Sequence, residues 1–230
     1  MRNKILLTWL VLSLIFWLFY FSVIEVSYNL LYYFFIIFVG IPVWKYRNKI
    51  KDNLFNWKLN KFAKFFILGY GAVLFEEIFA ALTNHLSEGF NFELYLQRIG
   101  QFWLFNILAF TGFYFAWYFL LRRYKYTHGE VFILSGVFGL FSEGVLFAVF
   151  SNPVAVFFMA PMVVVVYGLM ITPSLWSIGL IGKKEISSII KYPLSLLVIF
   201  LFSIIPLLIL QALRIRYPWL FPPVEFIPMM

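Results

Sequence analysis

The chain has 230 residues, 63% of them hydrophobic and 12% charged, where a soluble domain holds roughly 45–50% and 25%. That apolar excess cannot be hidden in a water-soluble core, and it excludes a soluble globular enzyme. The formal charge of +8 does not point to nucleic acid, because the basic residues lie in short loops between apolar runs, a pattern that orients membrane proteins.

Taken in order, the apolar runs predict seven spans: residues 5–24, 29–44, 65–82, 102–121, 131–150, 154–171 and 194–213. The first run is long and bulky, with no small-residue cleavage site after it, so it reads as a retained span rather than a signal peptide. Glu25 to Tyr28 forms a short turn. Residues 45–64 mix Lys with Phe55, Trp57 and Phe62, which suits either an amphipathic helix on anionic headgroups or a solvated loop. Residues 83–101 form a loop with His85, Glu88, Glu93 and Arg98. Ser151-Asn152-Pro153 is a tight turn, and Pro161 should kink the sixth span. Residues 172–193 form another loop, and the Pro-rich end from Arg214 onward is irregular.

With the N-terminus in the cytoplasm, 15 of the 18 Lys and Arg residues fall on the cytoplasmic side of these spans, as the positive-inside rule requires. The expected fold is therefore an all-α, polytopic transmembrane bundle of about seven spans. It forms a single domain over residues 1–230, sits in the cell membrane, and has membrane lipids as its surroundings. There is no cysteine, which removes thiolate catalysis, disulfides and Cys-bound metals.

The third predicted span carries Glu76 and Glu77 side by side. An ionisable group at membrane depth costs at least ~2.5–3.5 kcal/mol and so marks a function or a buried partner. Glu143, in the fifth predicted span, is the third such carboxyl. Glu76 and Glu143 each lie roughly 18–20 Å from a charged span end at ~1.5 Å per residue, which puts them at similar depth. Adjacent helical residues diverge by about 100°, so one of Glu76 and Glu77 should face the bundle interior while the other bonds a neighbouring helix. Two carboxyls this close in a low dielectric do not readily both ionise. One carboxylate beside one carboxylic acid pairs a general base with a hydrogen-bond donor. Asn106 and Thr111 in the fourth span, with Ser135 and Ser142 in the fifth, supply polar company. Gly69, Gly71, Gly136 and Gly139 suit close helix packing, and His85 reads as an interfacial loop residue.

The Glu76-Glu77 pair, followed by Gly136-Val137-Phe138-Gly139-Leu140-Phe141-Ser142-Glu143-Gly144, resembles the motifs of the CPBP glutamic membrane proteases, which include the CAAX-type and bacteriocin-processing enzymes, and of the PrsW-type membrane proteases. The resemblance covers residues 65–170. Ala81 stands where the CAAX-type pattern has Arg, and Ala80 where the PrsW-type has Lys. Ser142 replaces the CAAX-type His, and Gly144 replaces the PrsW-type Asn beside Glu143. The resemblance implies a metal-independent endopeptidase, without cofactor, acting on a membrane or lipidated protein. Glu76 or Glu77 would activate water, with Glu143 and Asn106 orienting or stabilising. Two further readings stand beside it: a non-catalytic membrane scaffold, and a proton-coupled transporter that uses the carboxyl cluster. Glu76 and Glu77 can equally be a structural clamp between helices.

Overall fold

The computed structural model describes residues 2–23, 30–86 and 89–221. The expected turn at Glu25 to Tyr28, Glu88, and the chain beyond Phe221 lie outside the described residues. The helices are α1 (Arg2–Val23), α2 (Leu30–Phe35), α3 (Ile41–Lys45), α4 (Arg47–Asn56), α5 (Lys61–Leu86), α6 (Phe92–Arg123), α7 (His128–Ser142), α8 (Pro153–Ile178) and α9 (Ser188–Arg216). A π-helical turn, Ile36–Gly40, joins α2 to α3.

Side-chain caps set several helix starts. Asn60 Oδ1 accepts from the Ala63 N–H at the head of α5. Asn91 caps α6 through the N–H groups of Glu93 and Leu94, and Asn152 caps α8 with Pro153 in its first turn. Thr127 and Glu130 form a reciprocal capping box on α7. Each satisfies backbone donors that a helix start leaves unpaired.

Five helices, α1, α5, α6, α8 and α9, are long and apolar enough to cross a membrane, and the 30–45 segment with α4, bent by 75° after Lys45, makes a possible sixth. The chain is thus a polytopic helical membrane protein. The seven uninterrupted spans expected from hydropathy are not what is found. The fifth, expected over residues 131–150, is α7 alone, 15 residues and about 22 Å long at ~1.5 Å per residue, against a hydrocarbon core of ~30 Å. Gly144 adopts a φ of +71°, a left-handed conformation that glycine allows and that ends helices. The chain then turns and continues as a 3-10 helix, Phe147–Phe150.

The other helices overrun their predicted limits. α5 continues through His85, α6 begins at Phe92 inside the expected loop, and most of the expected 172–193 loop belongs to α8 and α9. α4 is helical, with every side chain at least partly exposed.

α8 is the central helix and packs against α1, α4, α5 and α7, while α6 packs against α5 and α9. Tyr114 on α6 donates to the backbone carbonyls of Gly69 on α5 (2.9 Å) and Met170 on α8 (3.3 Å). Ser174 on α8 donates to the Phe65 carbonyl at 2.6 Å. In an apolar medium, where hydrophobic burial between helices contributes little, such bonds and close packing hold the bundle. A Cβ on Gly136 would come within 2.6 Å of the Val164 backbone, so α7 and α8 approach as only glycine permits; Gly69 and Gly139 likewise abut Tyr114 and Tyr167, whereas Gly71 faces open space. α1 and α9 expose large apolar side chains such as Phe19, Ile205 and Leu208, surfaces matched to lipid.

The basic segments meet at one end. Lys64 Nζ donates to the Phe55 carbonyl, and the Lys125 N–H donates to the Lys184 carbonyl. Lys191 pairs with Glu130 at 2.6 Å with both side chains largely buried. Residues 122–130 and 183–191 therefore share one face of the bundle, and Lys51 lies close enough to His128 for its charge to act there, which brings residues 45–64 to the same face.

Candidate functional site

Glu76 and Glu77 lie in the middle of α5, and each is only 6% exposed. Both line a cavity of about 490 Å³. The expectation of one facing inward and one against a neighbouring helix holds in part: Glu76 lies against Tyr32 of α2, yet both carboxyls line the cavity. α5 packs against α2, α6 and α8, so its buried arc is wide enough for adjacent residues to reach one space. The Glu76 carboxyl lies beside the side chains of Glu77 and Tyr32. The Tyr32 hydroxyl is buried, faces Glu76 and closes no well-formed hydrogen bond.

Glu143 lines the same cavity, but not from within a helix as expected. It is the C-terminal cap residue of α7, its N–H bonded to the Gly139 carbonyl at 2.9 Å. The Tyr167 hydroxyl on α8 donates a hydrogen bond to the Glu143 carboxyl and meets Ser142 Oγ at 2.9 Å. α8 packs against both α5 and α7, and its Tyr167 holds the acidic residue at the end of α7. Asn106 on α6 is 9% exposed and also lines the cavity. The remaining wall is mostly apolar, with Phe102, Phe110, Phe138 and Met162. A few polar groups on an apolar concavity of this size is the usual make-up of a small-molecule or substrate site.

Glu76, Glu77, Glu143 and Asn106 thus share one cavity. Among the described residues no three acidic or histidine side chains stand close enough together to hold a metal ion. Neither histidine lines it. His85 is 1% exposed and helical, not a loop residue as expected, because α5 runs through it to Leu86. Its Nε2 accepts from the Asn91 N–H at 2.6 Å and so stitches α5 to the start of α6. His128 begins α7, at the basic end.

Among the lining residues that escaped the sequence reading, Tyr32, Tyr167 and Arg214 bear on the chemistry. The tyrosines sit in apolar runs where a ring is unremarkable, and only the hydroxyl's need for a partner hints at more. Arg214 looks like a charge flanking a span, yet it belongs to the last turn of α9 and lines the cavity.

Compared with known proteins, the chain matches no family model, no curated protein and no solved structure. Function must therefore be argued from the cavity itself.

Proposed function

We propose that the cavity is the reaction site of a glutamic intramembrane endopeptidase. The reading rests on one observation: Glu76, Glu77, Glu143 and Asn106, drawn from α5, α6 and the end of α7, line a single apolar-walled space inside the bundle. The resemblance of their local motifs to those of glutamic membrane proteases points the same way.

Of the Glu76–Glu77 pair, one carboxylate takes a proton from water as the water oxygen bonds to the amide carbon. The other, protonated, gives its proton to the nitrogen as the C–N bond breaks. One water is consumed, one acid and one amine are released, and the two carboxyls exchange roles. Asn106 offers an amide N–H₂ to the developing oxyanion. Glu143, held by Tyr167, is a positioning residue at the rim.

The test is cleavage of a panel of membrane peptides by the purified full chain. Glu76→Gln and Glu77→Gln should each reduce the rate by about 10²-fold or more, the usual share of general acid–base catalysis. Cleavage unaffected by both substitutions overturns the reading.

A second, non-catalytic reading has its own support: the Ser142–Tyr167–Glu143 bonds tie the end of α7 to α8, as a structural clamp would. On that reading the glutamine variants lose thermal stability and nothing else. Proton flux in liposomes that disappears in the same variants would instead favour a proton-coupled carrier.

A further inference from the structure

Arg214 is the one cationic side chain among the described residues on the cavity wall. It reaches the wall from α9 on the face that also carries Ser203 and Leu207, at helical spacing. Its guanidinium lies 4.6 Å from the centroid of the Phe105 ring on α6, a cation–π contact that holds it against that helix. Two of its nitrogens, Nε and Nη2, are buried and have no hydrogen-bond partner among the described residues. No carboxyl of the cavity comes within ion-pair distance of it.

The identity of those two nitrogens matters. Nε–H and the adjacent Nη2–H project side by side from one edge of the guanidinium. That edge forms the two parallel bonds of a fork with the paired oxygens of a carboxylate or phosphate. Two buried donors of a partly buried charged group left unmet are costly, and pairing them recovers part of that cost. The cavity wall therefore carries, besides its carboxyls and Asn106, a cation with a free fork set among apolar side chains.

We infer that Arg214 is an anion-binding residue, and that the cavity takes ligands with an apolar body ending in a carboxylate or phosphate, the end group forked on Nε and Nη2. Taken with the endopeptidase reading, on which the word depends, the substrate carries such an anion close to its scissile bond. The binding site itself stands without that reading.

The experiment is titration of the full chain in nonionic detergent with dodecanoate, dodecyl phosphate and dodecanol, the alcohol controlling for partition into the micelle. Wild type should bind one or both anions at least about tenfold tighter than the alcohol, as a charge-assisted bidentate pair allows. Preference for dodecanoate alone assigns a carboxylate, and for dodecyl phosphate alone a phosphate headgroup. Arg214→Gln should abolish the preference. Arg214→Lys, which keeps charge but not the fork, should lose most of it, and Arg216→Gln should keep it. Equal affinity of wild type for all three probes overturns the inference and needs no variant to fold. So does an undiminished preference in Arg214→Gln. Cleavage that depends on Glu76 and Glu77, in a chain that binds dodecanoate and dodecyl phosphate no better than dodecanol, overturns the anion site alone. Anion-selective binding in a chain that cleaves no peptide supports the anion site and overturns the endopeptidase reading alone.

Discussion

The Tyr167 hydroxyl, in the middle of α8, donates its hydrogen bond to the carboxyl of Glu143, the residue on which α7 ends. The bond spans the gap between two helices and fixes one acidic group of the cavity. Tyr167→Phe removes a hydrogen bond to a carboxyl whose residue is itself exposed, and should lower stability by about 0.5–1.5 kcal/mol. Glu143→Gln keeps an acceptor for the same hydroxyl and should cost less. Thermal unfolding in detergent, followed for both variants, checks the order; a Tyr167→Phe chain that melts like wild type would mean that Glu143 is held by something else.

Two glycines separate packing from propensity. Gly136→Ala puts a Cβ within 2.6 Å of the Val164 backbone, and should destabilise by about 1–3 kcal/mol as α7 is pushed off α8. Gly71→Ala meets open space on α5 and should be neutral or stabilising, by up to ~1 kcal/mol, because alanine favours the helix. Equal melting shifts in the two variants would contradict the observed α7–α8 contact.

Glu130 lies outside the membrane-spanning helices, at the basic end of the bundle. Burial pushes its carboxyl up, but hydrogen bonds from Lys191, the Thr127 N–H and Tyr192 outweigh this and bring it down from 4.5 to about 2. Below the unfolded value, the unfolded chain takes up a proton that the folded chain resists. The stabilisation is thus complete above about pH 4.5 and is lost as pH falls toward 2, a change of order 1–3 kcal/mol. Melting temperature measured between pH 7 and pH 3 should fall in wild type. In Glu130→Gln that contribution should be absent and the curve correspondingly flatter; parallel curves would remove Glu130 as the cause.

The absence of native cysteine makes sidedness directly measurable. With a cytoplasmic N-terminus, Lys58→Cys and Lys183→Cys should be protected from a membrane-impermeant maleimide added outside intact cells, while Phe92→Cys should be labelled. The reverse pattern would invert the topology. Labelling of Lys58→Cys and Lys183→Cys on opposite sides would break the common basic face on which residues 45–64 and 183–191 meet.

Hydropathy alone was enough to say that this is a helical membrane protein, and that Glu76 and Glu77 are exceptional within it. Both conclusions depend on what a residue costs in lipid, a property of the side chain that needs no neighbour. The same measure is blind to the end of α7, because the chain stays apolar from Val145 to Phe150 while Gly144 reverses the backbone. A glycine directly after a polar residue was the available sign, but inside an apolar run it reads equally as a packing glycine.

His85 and Arg214 were misplaced for a related reason. Hydropathy counts them as the ends of spans, although α5 and α9 run through them, burying His85 and turning Arg214 onto the cavity wall. Whether Glu76 and Glu77 share a space, and whether Tyr167 and Arg214 border it, depends on the void left where α5, α6, α8 and α9 fail to touch. Such a void is a property of how helices lie against one another, and no single stretch of chain contains it.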